Sequence, residues 1–188
     1  DFRRVLVMGA GSGVLRQAIA RALPDAEFII AMEPDRAGYD SLAVRGDEEF
    51  LPFAEGAFDL IATALSLHFV NDLPGALIQA RRALKPDGLF LCTMLGGATL
   101  EELRASFAQA ETEIEGGLSP RVSPMADLRD LGGLLQRAGF ALPVADSDSV
   151  TVTYESPLAL MRDLRAMGAT NALTARRKSP LRRATLAR

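Results

Sequence analysis

Residues 5–13 read VLVMGAGSG: four apolar residues run straight into glycines at Gly9, Gly11 and Gly13. A short apolar run of this kind reads as a strand buried on both faces. A glycine turn at its end lets the backbone bend sharply and approach a nucleotide-like ligand. The glycines fall as G-x-G-x-G, with Val14 where the dinucleotide fingerprint takes a small residue, which argues against a pyrophosphate site.

Outward from that turn, strands and helices alternate. VLRQAIARAL (14–23) has helical apolar spacing and is closed by Pro24. EFIIAME (27–33), LAVRG (42–46), FDLIATALS (58–66) and GLFLCTML (88–95) come next as strands, and the short connection after Glu33 holds at most a turn or two of helix. Helices are predicted over 72–88, 99–111, 125–140 and 156–168, and SVTVTY (149–154) alternates as a sixth strand. In the last helix Leu158, Met161, Leu164 and Met167 share one face, the pattern of a packed amphipathic helix. The expected fold is α/β: a three-layer αβα sandwich around a doubly wound, mostly parallel sheet. Residues 1–173 form the ligand-binding domain of this reading, and 174–188 a basic C-terminal segment. Ligands of such sheets bind at the carboxyl ends of the strands, near the switch in strand order. That places Gly9–Gly13, Glu33, Asp47 and Ala64–His68 around one crevice.

Composition narrows the partners. At 188 residues and 48% hydrophobic content the chain can bury one substantial core. No apolar run approaches the roughly 20 residues of a membrane helix; LIATALSLHFV (60–70) reads as a core strand and the segment just after it. The sequence enters a strand at once, so no signal peptide is read and the cytoplasm is the expected compartment. Cys92 is the single cysteine, inside the apolar run LFLCTML, which excludes a disulfide framework and a cysteine metal site; a buried, inert thiol is expected. One histidine rules out a two-histidine, one-carboxylate iron site within these residues, and no metal site is read. The tail TARRKSPLRRATLAR (174–188) contributes +6 to a net charge of −3, which leaves −9 for the rest. An acidic body argues against nucleic acid as the main partner, and the tail reads as a solvated basic segment or a dock for an acidic partner. The preference for Arg over Lys, 19 against 2, points to a high-GC bacterial genome.

Three positions carry the chemistry. Glu33 ends the second strand, where a carboxylate accepts hydrogen bonds from a ribose diol; with Pro34 and Asp35 it also suits a helix start. Asp47 lies after the third strand and can take the exocyclic amine of an adenine, with the backbone of Glu48 at the ring nitrogens and Leu51, Pro52 and Phe53 walling the base. A plain loop with a proline turn is the alternative there. His68 lies just beyond the fourth strand, placed either to accept a proton from a nucleophile or to pack beside Phe69 and orient the loop.

In this order and spacing, VLVMGAGSG, Glu33, GDEEFLPF (46–53), FDLI (58–61) and LKPDGLFL (84–91) resemble the class I S-adenosylmethionine-dependent methyltransferases, in the subgroup acting on small molecules and acyl chains. A second set widens the resemblance to most of the chain: SLHFVNDLPGAL (66–77), GGATLEELR (96–104), AETEIEGGLSPRVSP (110–124), DLGGLLQRAGF (130–140) and LMRDLRAMG (160–168). It is similar to the complex I assembly factors with a methyltransferase fold and to their bacterial relatives; an acyl-carrier-protein methyltransferase of biotin synthesis is a more distant relative. The resemblance implies S-adenosylmethionine as cofactor, S-adenosylhomocysteine as product, and methyl transfer to a small molecule, acyl chain or protein. Its alternative is an assembly factor that binds the cofactor and hydroxylates an arginine of a respiratory complex I subunit. By the same resemblance Gly9, Ala10, Gly11 and Gly13 line the methionine part, Glu33 and the adjoining Pro34 the ribose, Asp47 and Glu48 the adenine, and Ala64 and Leu65 the sulfonium side. Two departures stand out. Val7 replaces the family's usual acid, which would remove a polar contact at the methionine end. The helix that normally precedes the first strand and the last antiparallel strand are not recognisable, so the sequence is expected to be part of a longer protein. GGLSPRVSP (116–124) is expected as a hinged lid or as a plain connecting loop.

Overall fold

Val5, Leu6, Val7 and Met8 are completely shielded from solvent, and that double-sided burial sets the architecture around them. The computed structural model describes residues 1–9, 13–33, 43–122, 125–170, 176 and 182–187. The buried run forms β1 (Arg4–Met8), which is joined by β2 (Phe28–Glu33), β3 (Ala43–Arg45), β4 (Phe58–Ala64) and β5 (Leu84–Thr93). The strand order is β3-β2-β1-β4-β5 and every pairing is parallel.

Alternation along β1 feeds two separate apolar layers. Leu6 and Met8 cluster with Met32, Phe58 and Ile61 and with Ala76, Leu77 and Ala80 of α2 (Leu73–Ala83); Leu134 and Leu135 of α4 (Leu128–Arg137) pack against them. Val5 and Val7 face the other way, onto Leu60, Ala62 and Ile19 of α1 (Val14–Ala22). The expected αβα sandwich is therefore present. α2 starts where Asp72 accepts the amide of Gly75 at 2.9 Å and ends over Arg81 and Arg82, which suit the negative end of the helix dipole.

The segment LKPDG departs from the sequence reading. α2 ends at Ala83 and β5 begins at Leu84, and the β4–β5 register jumps from Phe58↔Leu84 to Leu60↔Leu89. Pro86 cannot continue a helix, and Asp87 adopts a φ of 59° to turn the chain back into the sheet. Lys85 is anchored by a 2.7 Å bond from Nζ to Oδ1 of Asp59, whose Oδ2 accepts the amides of Arg3 at 3.2 Å and Arg4 at 2.8 Å. Burial pushes the Asp59 carboxyl upward, but the Lys85 bond and charge and the two amides outweigh it and hold it below 3.8. The ionised form is thus favoured by folding. Its contribution is full above the ordinary carboxyl range and is lost as pH falls through the lowered folded value. Asp59→Ala is expected to lower stability by about 1–3 kcal/mol near pH 7. Urea denaturation across pH 2–7 checks this: the gap to the native protein should close at the acid end.

Cys92 also departs from expectation. It is exposed, on β5, which ends the sheet.

The chain divides into two compact units, residues 1–95 with 126–145 and residues 96–125 with 146–188. The second holds α3 (Glu101–Glu115), α5 (Pro157–Ala166) and α6 (Arg183–Ala187), the last of these from the basic segment. Within it, Oγ1 of Thr185 donates to Oε1 of Glu115 at 2.8 Å. SVTVTY does not form the sixth strand: Val150 and Val152 are 83% and 61% exposed, and alternation without a paired neighbour or a face to bury does not make a strand. α5 has no fully buried residue, and Leu158 within it and Met167 just past its end, both of the predicted apolar face, are exposed. The short helix after Glu33 and the 173/174 boundary lie outside the described residues. No helix among the described residues is long and apolar enough to cross a membrane.

Candidate functional site

β1 sits between β2, which comes after it in sequence, and β4, which reaches its other side after a crossover, so the carboxyl end of β1 is the switch point of the sheet. Gly9 occupies it. Its φ is +61°, and its amide donates to the Met32 carbonyl at 3.1 Å. A Cβ on Gly9 would lie 2.3 Å from Cβ of Ser66, 2.5 Å from its Oγ and 3.2 Å from Oε1 of Glu48. Three separate segments therefore close on one backbone position.

A polar chain runs beneath that point. Ser66 Oγ donates to Glu48 Oε1 at 2.9 Å and lies 3.2 Å from Thr63 Oγ1, with Thr63 and Glu48 both buried. Beside it Leu65 takes a φ of 55°, unusual for a branched residue, while its amide donates to the Thr93 carbonyl at 2.7 Å and its side chain stays largely exposed. Strain of this kind persists where the surroundings over-determine it, and it is common at ligand sites. On the other side of Gly9, Gly13 is the N-cap of α1, with a φ of +73° and, as a glycine, no side chain of its own to cap the helix.

The acids of GDEEFLPF take three different directions. Asp47 is exposed and its Oδ1 accepts the amide of Glu49 at 2.9 Å, while Glu48 turns inward to Ser66. Glu49 accepts from Asn71 Nδ2 at 3.1 Å and from the amides of Asn71 and Asp72, tying the loop to the start of α2. Gln79 completes the tie, accepting from the Leu51 amide at 2.9 Å and donating to the Glu49 carbonyl. Of the predicted apolar wall, Leu51 is in the core and Phe53 packs edge-on against Phe58 at 4.9 Å. Those two are spent on the fold, and Phe50, 76% exposed, is the aromatic left at the surface of this loop.

His68 stands in a 3-10 turn over Leu67–Phe69, its ring 4.0 Å from that of Phe69. Burial lowers its pKa below 6.5, so the imidazole is neutral near pH 7. Its Nδ1 is shielded from solvent and has no hydrogen-bond partner among the described residues. The packing role is thus present, and a neutral ring is also what a proton acceptor requires. Glu33 closes β2 with its backbone in register with Arg45. Ala10, Gly11 and Pro34 lie outside the described residues. Sequence reasoning put Ser66 in the crevice only as part of Ala64–His68, without its bond to Glu48, and missed Thr63 and Gln79; small hydroxyls at the carboxyl end of a strand were the available signal for Ser66 and Thr63. Among the described residues, no three His, Cys, Asp or Glu side chains group closely enough to hold a metal ion.

The profile of the family described as "Methyltransferase domain" matches residues 6–92. A malonyl-[acyl-carrier protein] O-methyltransferase of Gallionella capsiferriformans is 31% identical over 201 residues, spanning 98% of this chain and 67% of that protein. The chain belongs to the class I S-adenosylmethionine-dependent methyltransferase family. Within it, the human protein "Arginine-hydroxylase NDUFAF5, mitochondrial" is 51% identical over 192 residues, covering 99% of this chain and 55% of its own length. The chain spans about half the length of the arginine-hydroxylase relatives it matches. The crystal structure of an S-adenosylmethionine-dependent methyltransferase from Mesorhizobium loti shares the fold, with a TM-score of 0.57, 17% identity and coverage of 89% and 86% of the two chains.

Proposed function

We propose that this chain binds S-adenosylmethionine at the carboxyl end of β1 and transfers its methyl group to a small-molecule, acyl or protein acceptor. The observation that carries this reading is the tight cradle at Gly9, where the side chains of Ser66 and Glu48 close on the backbone at the switch point of the sheet. Ser66 and Glu48 pack directly against the Gly9 backbone, and the buried Glu48 carboxylate there suits a cofactor bearing positive charge. Gly9, Ala10, Gly11 and Gly13 are assigned to the methionine part, Glu33 and Pro34 to the ribose, the Asp47 carboxylate and the Glu48 backbone to the adenine, and Ala64 and Leu65 to the sulfonium side. Phe50 joins Pro52, both exposed, as the wall of the base in place of Leu51 and Phe53.

When bound, the cofactor supplies a methyl carbon already activated by the sulfonium. The residues of this chain then have to hold it in line with the acceptor and exclude water, which is mainly proximity and orientation. His68 is assigned the proton of the nucleophile. With Nδ1 sealed away, proton transfer runs through Nε2.

Calorimetry with S-adenosylmethionine and S-adenosylhomocysteine on the full-length protein tests the shared step. Asp47→Ala is expected to weaken both by about 1–3 kcal/mol, the loss from a carboxylate meeting a buried amine. Unchanged affinity would misplace the base, and no binding by the native protein would overturn the reading.

A second reading is favoured by the high identity to the arginine-hydroxylase relatives: the domain binds the cofactor while the protein hydroxylates an arginine of a respiratory complex I subunit. Mass spectrometry of acceptor candidates separates the two. A gain of one methylene unit supports methyl transfer, and a gain of one oxygen on arginine supports hydroxylation. A cytoplasmic compartment and a bacterial origin remain parts of the proposal, set beside relatives named as mitochondrial.

A further inference from the structure

Glu48 is a buried carboxylate in the unit that holds the sheet. It accepts from a neutral hydroxyl, Ser66 Oγ at 2.9 Å, and among the described residues no basic side chain is ion-paired with it. A buried anion of this kind is normally matched by a cation, because removing an ionised carboxylate from water is costly unless it is paired. Its position says which cation. Glu48 Oε1 lies 3.2 Å from where a Cβ on Gly9 would sit, against the glycine end of the crevice, while the Asp47 carboxylate beside it in sequence stays at the surface.

We propose that the Glu48 carboxylate is the counter-charge for the α-ammonium group at the amino-acid end of the cofactor, so that the backbone and side chain of one residue serve opposite ends of the same ligand. The inference rests on the proposed binding of S-adenosylmethionine at the carboxyl end of β1 and deepens it. It also gives a physical reason for three acids in succession at 47–49. One faces outward at the base, one turns inward at the ammonium, and one ties the loop to α2. Val7 supplies no charge at this end, since its side chain packs among Leu60, Ala62 and Ile19 on the α1 side of the sheet.

The test compares three ligands on the full-length protein by calorimetry: S-adenosylmethionine, S-adenosylhomocysteine, and 5′-methylthioadenosine, which lacks the amino-acid part. Glu48→Gln keeps an oxygen to accept from Ser66 and removes only the charge, so the site stays assembled. We expect both amino-acid-bearing ligands to weaken together, at least tenfold, with 5′-methylthioadenosine unchanged. The last ligand also reports that the variant is folded. Equal weakening of all three would mean a structural role and overturn the proposal. So would no change in any, or weakening of S-adenosylmethionine alone, which would put the charge at the sulfonium. If the native protein binds none of the three, the cofactor assignment itself fails; if it binds them and the ratios do not move in the variant, only the role of Glu48 fails.

Discussion

Gly9→Ala is expected to abolish measurable binding of S-adenosylmethionine and to destabilise the fold by roughly 3 kcal/mol or more. Two effects add. The φ of +61° strains any residue with a Cβ, at about 1–2 kcal/mol. The added methyl group would also lie 2.3 Å from Ser66 Cβ, well inside van der Waals contact. Ser66 is not a flexible tip that can swing away, because it sits just past the end of β4 and its hydroxyl is held by Glu48 and Thr63. Relief therefore requires moving the β4 turn, which opens the polar chain under the cradle. Gly56→Ala separates the two effects: Gly56 also has a positive φ, of 63°, but nothing lies within 4 Å of its added Cβ. That variant should lose only the backbone part, about 1–2 kcal/mol, with cofactor binding retained. Denaturant melts and calorimetry on the pair provide the check. Equal stability losses would mean that the collision at Gly9 is absorbed and that the cradle is looser than its distances imply.

The contrast between these glycines bears on how much the sequence discloses. The run VLVMG dictates a doubly buried strand, because four consecutive apolar residues before a glycine have few other stable homes. The central position of β1 and the location of the crevice can be inferred from it. Places fixed by chain geometry were legible in the same way: Gly9 at the turn, Asp47 after β3, the Ala64–Leu65 end of β4. Roles set by a particular contact were not. Nothing in DEE says that the middle acid turns inward while its neighbours do not; that depends on Ser66 being opposite, which only the assembled sheet provides. Leu51 and Phe53 were misjudged for a related reason, since an apolar residue in a loop can wall a ligand or fill the core, and the core took them. SVTVTY shows the limit of period-two reasoning. Alternation specifies which faces a strand would present, yet a strand also needs a partner, and Val150 and Val152 remain in solvent.

Glu111→Ala carries the second large effect, this time in the unit formed by residues 96–125 and 146–188. Glu111 is on α3 with its side chain 1% exposed, and its carboxylate gathers the loop just past the helix. It accepts from the Ser119 amide at 2.6 Å, from Ser119 Oγ at 2.8 Å and from Arg121 Nε at 2.6 Å, and the Arg121 guanidinium is itself only 15% exposed. Burial pushes the Glu111 carboxyl upward, but the two Ser119 bonds and the charge and hydrogen bond of Arg121 prevail and hold it below 4.5. GGLSPRV is therefore a strapped loop, closer to the plain connection than to a free lid. Truncation to alanine would leave a guanidinium poorly hydrated and release an amide and a hydroxyl at once. Breaking a buried pair from one side typically costs about 3–5 kcal/mol, which for a chain of this size lowers the melting temperature by roughly 10 °C. Because the folded carboxyl lies below its ordinary value, this stabilisation is complete above that value and fades as pH falls through the folded one. The difference between native and variant proteins should accordingly shrink in acid. Hydrogen exchange gives the local readout: the Ser119 amide should lose protection in Glu111→Ala, while amides of β1 and β4 keep theirs. A melting temperature within about 2 °C of the native value, with Ser119 still protected, would mean that the ion pair adds nothing beyond the packing of α3.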